Sequence, residues 1–124
     1  MTDSFDDATL ARLRDELEVR IETRSTNGDL HRTIIWVVVD SSSRVLIRSY
    51  RGANARWFRE AVAAGEAGLA MDASRIAVRV EPAVDAERVA ACSAELERKY
   101  AGDPAVPAMV ADEVLDTTLQ LHPG

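Results

Sequence analysis

Two hydrophobic periods alternate along the chain. In the first segment, SFDDATLARLRDEL, Leu10, Leu13 and Leu17 recur at i, i+3 and i+7, the spacing of one helix face. Acids gather at its start, where the helix dipole favours negative charge. Ser4 with Asp7 three residues on resembles a capping box, so a helix is predicted over about residues 4–17. The period then falls to two. In EVRIETR, Val19, Ile21 and Thr23 alternate with Arg20, Glu22 and Arg24, which predicts a strand with its charged face outward. Asn27-Gly28 marks a hairpin, since both residues tolerate positive φ. HRTIIWVVVD is apolar on both faces, with Ile34, Trp36 and Val38 on one and Ile35, Val37 and Val39 on the other. Such a strand must be covered twice: by the core on one side, and by a helix or a second subunit on the other.

After the turn DSSS, RVLIRSY predicts a third strand, with Val45 and Ile47 opposed to Leu46, Arg48 and Tyr50. Three consecutive antiparallel strands make a meander. Gly52 breaks it, and NARWFREAVAAG predicts a helix with Asn54 as N-cap and Gly65 as its stop. AGLAMD and SRIAVRVEP predict two more strands, the second with Ile76, Val78 and Val80 inward. Asp85 opens a helix with Val89, Cys92, Leu96 and Tyr100 on one stripe, stopped by Gly102. Pro107 suits the first turn of a short helix, PAMVADEVL, and TTLQLHP alternates as a final strand. About six strands and four helices without βαβ alternation predict an α+β fold, a small antiparallel six-stranded barrel with flanking helices, as one domain over residues 1–124.

Composition narrows the function classes. A chain of 124 residues, 47 % hydrophobic, fills a single core without metals or disulfides. Its one cysteine, Cys92, packs on a helix stripe and permits no internal disulfide, which fits a reducing cytoplasm. The N-terminus has neither the basic nor the apolar region of a signal peptide. The longest apolar run, Ile34–Val39, is too short to cross a bilayer, so no membrane partner is expected. A net charge of −6 and a pI near 4.9 oppose sequence-independent nucleic-acid binding, which needs a broad basic surface. His31, His122 and Cys92 match no metal-ligand spacing. His31 fits a solvent-facing strand start, and Asp6, Asp7, Asp15, Glu16 and Glu18 fit the solvated face of the first helix. No dinucleotide fingerprint, P-loop or nucleophile elbow is present.

One stretch runs against the acidic background. RVLIRSYRGANARWFRE, residues 44–60, holds five arginines and no acid before Glu60. Arg48, Arg51, Arg56 and Arg59 either solvate a surface or receive the anionic group of a small ligand, and the missing acidic neighbours favour the ligand. Trp36 fits the core or an interface, Trp57 a barrel cap or a pocket edge, and Tyr50 either cross-strand packing or a hydrogen bond to a ligand.

The run IETRSTNGDLHRTIIWVVVD, followed by RVLIRSYRG and ARWFREA, resembles domain-of-unknown-function family 2255, as does the terminal TTLQLHP. That family looks related to split β-barrel flavin-binding proteins, including the pyridoxamine-phosphate oxidases and the deazaflavin-dependent nitroreductases. The resemblance implies a homodimer holding FMN or a deazaflavin coenzyme for hydride-transfer redox chemistry on a small molecule. It places Arg32, Ser49, Arg51 and Arg56 at the cofactor phosphate, and Thr33, Ile34, Ile35 and Trp36 along the ring edge. Arg48, Tyr50 and Trp57 complete the candidate set. The Ser-Arg-Lys triplet that closes the site in the oxidases is missing, which fits a differently anchored deazaflavin better than FMN. The alternative is a cofactor-free dimeric structural or interaction module whose arginines pair with its own or its partner's acids.

Overall fold

The computed structural model describes residues 4–124. Helix α1 (Asp7–Asp15) is capped by Asp6, which accepts the Thr9 amide at 2.7 Å, so the cap lies beyond the predicted Ser4. Leu10 and Leu13 are buried, but the chain is already extended at Glu16, which leaves Leu17 and Glu18 exposed. Strands β1 (Val19–Arg24) and β2 (Leu30–Ile35) pair antiparallel, from Val19 opposite Ile35 to Arg24 opposite Leu30. In the turn between them only Gly28 takes positive φ, at 89°. One left-handed residue, where the Asn-Gly pair predicts two, is enough to reverse the chain.

The strand predicted over 31–40 is two strands, and its break organises the molecule. β2 ends at Ile35 and β3 is Val38–Val39. At the break the Val37 carbonyl accepts from Lys99 Nζ at 2.7 Å, and the Val37 N–H donates to the Tyr100 hydroxyl at 3.3 Å. The Trp36 indole stacks on the Tyr100 ring, 3.9 Å between centroids and 3° from parallel. Side chains at the end of α3 (Ala86–Lys99) thus hold backbone groups that a continuous ladder would use.

β3 pairs with β4 (Val45–Ile47), and β4 also pairs with β7 (Leu119–Pro123), so both hairpins of the predicted meander form, but on opposite halves of the broken strand. With β5 (Glu66–Met71) and β6 (Ser74–Pro82), the order among the described residues is β2-β1-β5-β6-β7-β4-β3, antiparallel throughout. The two ends of that order are joined by Trp36 and Val37 alone. The sheet must therefore curl until its edges approach, giving the split β-barrel of an α+β fold. Its seventh strand is the second half of the broken one.

Ile35, Val37, Val39, Val45 and Ile47 fill the barrel with Ile21, Leu69, Val78, Leu119 and Leu121. Val38 and Leu46 point the other way, under Cys92 and Leu96 of α3, Tyr100 at its C-cap and Met109 of α4 (Val106–Met109). The second cover that the doubly apolar strand demands is thus a helix of the same chain over 36–38, while Ile34 stays 57 % exposed. Helix α2 (Arg56–Ala64) buries Trp57 and Ala61 and ends at Gly65 with φ 71°. Its N-cap is Ala55, because Asn54 is drawn into a 3₁₀ turn, Gly52–Asn54. PAMVADEVL likewise divides, into α4 and a 3₁₀ helix over Asp112–Thr117. No helix among the described residues is long and apolar enough to cross a membrane.

Candidate functional site

Where β4 runs out and α2 begins, the chain turns through Ser49, Tyr50 and Arg51 beside the end of β2. A cleft of about 800 Å³ opens there. Its walls are Thr33, Ile34, Ile35 and Trp36 on one side, and Arg48, Tyr50, Arg51 and Asn54 to Trp57 on the other. Ala105 and Met109 come from the α4 region, and Glu18 from the segment before β1. The structure thus brings together every sequence-predicted site residue except Arg32 and Ser49.

Those two are placed elsewhere by strand geometry. Side chains alternate along β2, so with Ile35 buried in the barrel, Arg32 faces outward. Its Nε donates to Glu22 at 2.7 Å, and Arg75 grips the other Glu22 oxygen. Glu22 is consequently 5 % exposed on what the sequence marks as an outward face. The hydrogen bonds from Arg32 and Arg75 hold its carboxyl below the usual carboxylate range. Ser49 is fully buried; its hydroxyl donates to the Gly52 carbonyl at 2.7 Å, and its amide donates to Thr117 Oγ1 at 3.0 Å. It locks the corner and does not line the cleft.

The arginines differ sharply in environment. Arg48 is 1 % exposed. Its Nε donates to Thr118 Oγ1 at 3.0 Å, Nη1 to Ser93 Oγ at 2.8 Å and the Met109 carbonyl at 3.1 Å, and Nη2 to the Val89 carbonyl at 3.0 Å. None of these partners is charged, and burial lowers its pKa. Arg51 is exposed at the cleft, and no acceptor meets its guanidinium among the described residues. Arg56 reaches Glu60 only at 4.0 Å. Arg59 is exposed and outside the cleft. Helix α2 starts at the cleft wall without a side-chain cap and without an acid in its first turn, so the positive end of its dipole is unopposed there.

Behind Arg56 lies a cluster the sequence reading missed. Glu60 accepts from Thr23 Oγ1 at 2.8 Å and sits 3.2 Å from His31 Nδ1. His31 is half-buried against this carboxylate, not at a solvent-facing strand start. Burial pushes the Glu60 carboxyl up, but the bonds from Thr23 and His31 outweigh it and its pKa falls below the usual value. Glu18 is also displaced from its expected role: α1 ends before it, and it stands on the cleft rim. His122 pairs with Glu81 at 2.8 Å. No group of three or more metal-ligating side chains occurs among the described residues.

The fold is shared with proteins of remote sequence. The chain is similar to the conserved hypothetical protein Rv2991 of Mycobacterium tuberculosis, with TM-score 0.65, 13 % identity, and coverage of 100 % of this chain and 83 % of that one. It is similar to HutZ, the heme storage protein of Vibrio cholerae, with TM-score 0.66, 9 % identity, and coverage of 95 % and 89 %. It is also similar to an F420 reductase, with TM-score 0.58, 17 % identity, and coverage of 92 % and 91 %. At these identities the likeness is one of fold. No curated protein matches the chain. The profile of the bacterial family described as "Uncharacterized protein conserved in bacteria (DUF2255)" matches residues 9–121, and the chain belongs to that family.

Proposed function

We propose that the cleft binds a flavin-type cofactor, FMN or a deazaflavin coenzyme, for hydride-transfer chemistry on a small molecule. The carrying observation is the positive charge at one end of the cleft: among the described residues Arg51 meets no acceptor, Arg56 reaches Glu60 only at 4.0 Å, and α2 starts without a side-chain cap. Guanidinium forks and first-turn amides together suit a phosphate. Arg32 and Ser49 are left out of this seat, and Arg48 lies beneath it as a buried cation. The cleft volume falls within the range of small-molecule sites, and its walls combine apolar rings with a few polar groups. Two proteins of the same fold carry names that refer to heme and to F420, large conjugated rings. The cofactor supplies the hydride chemistry; this chain's residues hold the anion, orient the ring and exclude water.

The same reading includes a homodimer across this face. Ile34, Tyr50 and, on edge strand β2, Leu30 are 57 %, 56 % and 40 % exposed; a second copy covers them and closes the cleft. The competing reading, a cofactor-free dimer, requires a carboxylate from the partner to meet Arg51. Absorbance and fluorescence titrations with FMN and, separately, with the deazaflavin coenzyme test the proposal. Stoichiometric binding is expected, weakened at least tenfold by Arg51→Ala and unchanged by Arg59→Ala. A protein that titrates with neither coenzyme overturns it.

A further inference from the structure

Resting on that reading, we infer that Trp36 is the stacking platform of the site: the indole face opposite Tyr100 receives the planar conjugated ring of the ligand. Trp36 is half-buried, lines the cleft and already carries the Tyr100 ring on one face at 3.9 Å and 3°. Tyr100 is itself immobilised. Its hydroxyl donates to the Leu17 carbonyl at 2.7 Å, and Lys99 Nζ lies 5.3 Å from its ring centroid. The indole is therefore held from behind by Tyr100 while Trp36 lines the cleft. A flat ring laid on the face opposite Tyr100 extends an existing parallel stack, the geometry that aromatic surfaces prefer when offset. An aliphatic ligand gains no such interaction, so the site selects for a conjugated ring joined to an anionic tail. A rigid, preformed surface also spares the ordering cost of binding.

An electron-poor flavin over an electron-rich indole has a spectroscopic signature that packing alone does not produce. Titration of the wild-type protein with FMN is expected to quench flavin emission and raise a long-wavelength absorbance shoulder. Ribitol 5-phosphate, which keeps the anion and lacks the ring, is the non-aromatic probe. In Trp36→Leu the shoulder is expected to vanish and FMN to bind at least fivefold more weakly, while ribitol 5-phosphate binds as in the wild type. Trp36→Phe, which keeps a ring on Tyr100, tests the same point should the leucine variant not fold: the shoulder must shift and weaken. If FMN binds both variants with unchanged affinity and spectrum, the platform is wrong and the cofactor reading survives. If the wild type binds neither FMN nor the deazaflavin coenzyme, both fall.

Discussion

A guanidinium buried with four neutral partners and no carboxylate holds three parts of this protein together. Arg48 bridges the end of the 3₁₀ helix before β7 through Thr118, α3 through Val89 and Ser93, and α4 through Met109. Truncation leaves buried hydroxyl and carbonyl groups without their donor, so Arg48→Met is expected to cost about 3 kcal/mol, read as a lower urea midpoint. Arg48→Lys should recover little of that loss, because one ammonium cannot span the same acceptors. If Arg48→Met is as stable as the wild type, the bridge does not hold the elements. Gly52 is a second tight position. Its φ of 75° and its carbonyl, bound by Ser49, set the corner that carries Arg51. Gly52→Ala should cost about 1 kcal/mol through the left-handed backbone. Sequence reading grouped Arg48, Arg51 and Arg56 as a solvated surface or an anion seat; Arg48, on the Leu46 face just past β4, instead turns under α3.

The end of α3 serves as the cap of α1. Lys99 Nζ donates to the carbonyls of Leu13 at 3.0 Å and Glu16 at 2.6 Å as well as to Val37, groups that the helix end leaves unpaired. Burial pushes Lys99 down to about 8. Between that value and the ordinary 10.5 the unfolded chain holds a proton that the folded chain has released. Stability therefore rises with pH from about 8 upward. Burial pushes Cys92 up to about 11 and Tyr100 up to about 12. Those groups ionise first in the unfolded chain, so their contributions fall as pH passes 9 and 10 respectively. The melting temperature is thus expected to climb from pH 8 to 9 and to flatten or turn over beyond. In Lys99→Met the climb should vanish; a climb that survives the substitution excludes Lys99 as its source.

Both tryptophans of the chain line one cleft, so intrinsic fluorescence reports on its occupancy without a label. Closure of that cleft by a second copy predicts a mass twice 13.6 kDa in light scattering at micromolar concentration. Ile34→Glu should shift the population to monomer. Because Ile34 is exposed within one chain, the substitution should change monomer stability by no more than about 0.5 kcal/mol. A wild-type monomer at that concentration removes the dimer, and an Ile34→Glu dimer removes this face as the interface.

Elements governed by neighbours close in sequence were legible before folding was considered. SRIAVRVEP forms β6 over the predicted residues, Asp85 caps α3, and Gly65 ends α2, since alternation, capping and left-handed turns are properties of a few consecutive residues. The α+β class followed from the order of those elements, and the Arg-rich corner from composition. Partnerships between distant segments were not legible. The break at Trp36 and Val37 is made by Lys99 and Tyr100, more than sixty positions away, and it is this break that divides the predicted second strand, sends β3 to the far end of the sheet and gives the predicted barrel its seventh strand. The same distant packing decides which arginine is buried, which stands free, and that Met109 and Glu18 share a cleft. Local pattern sets which face of a strand is apolar; only contacts across the fold set what covers it.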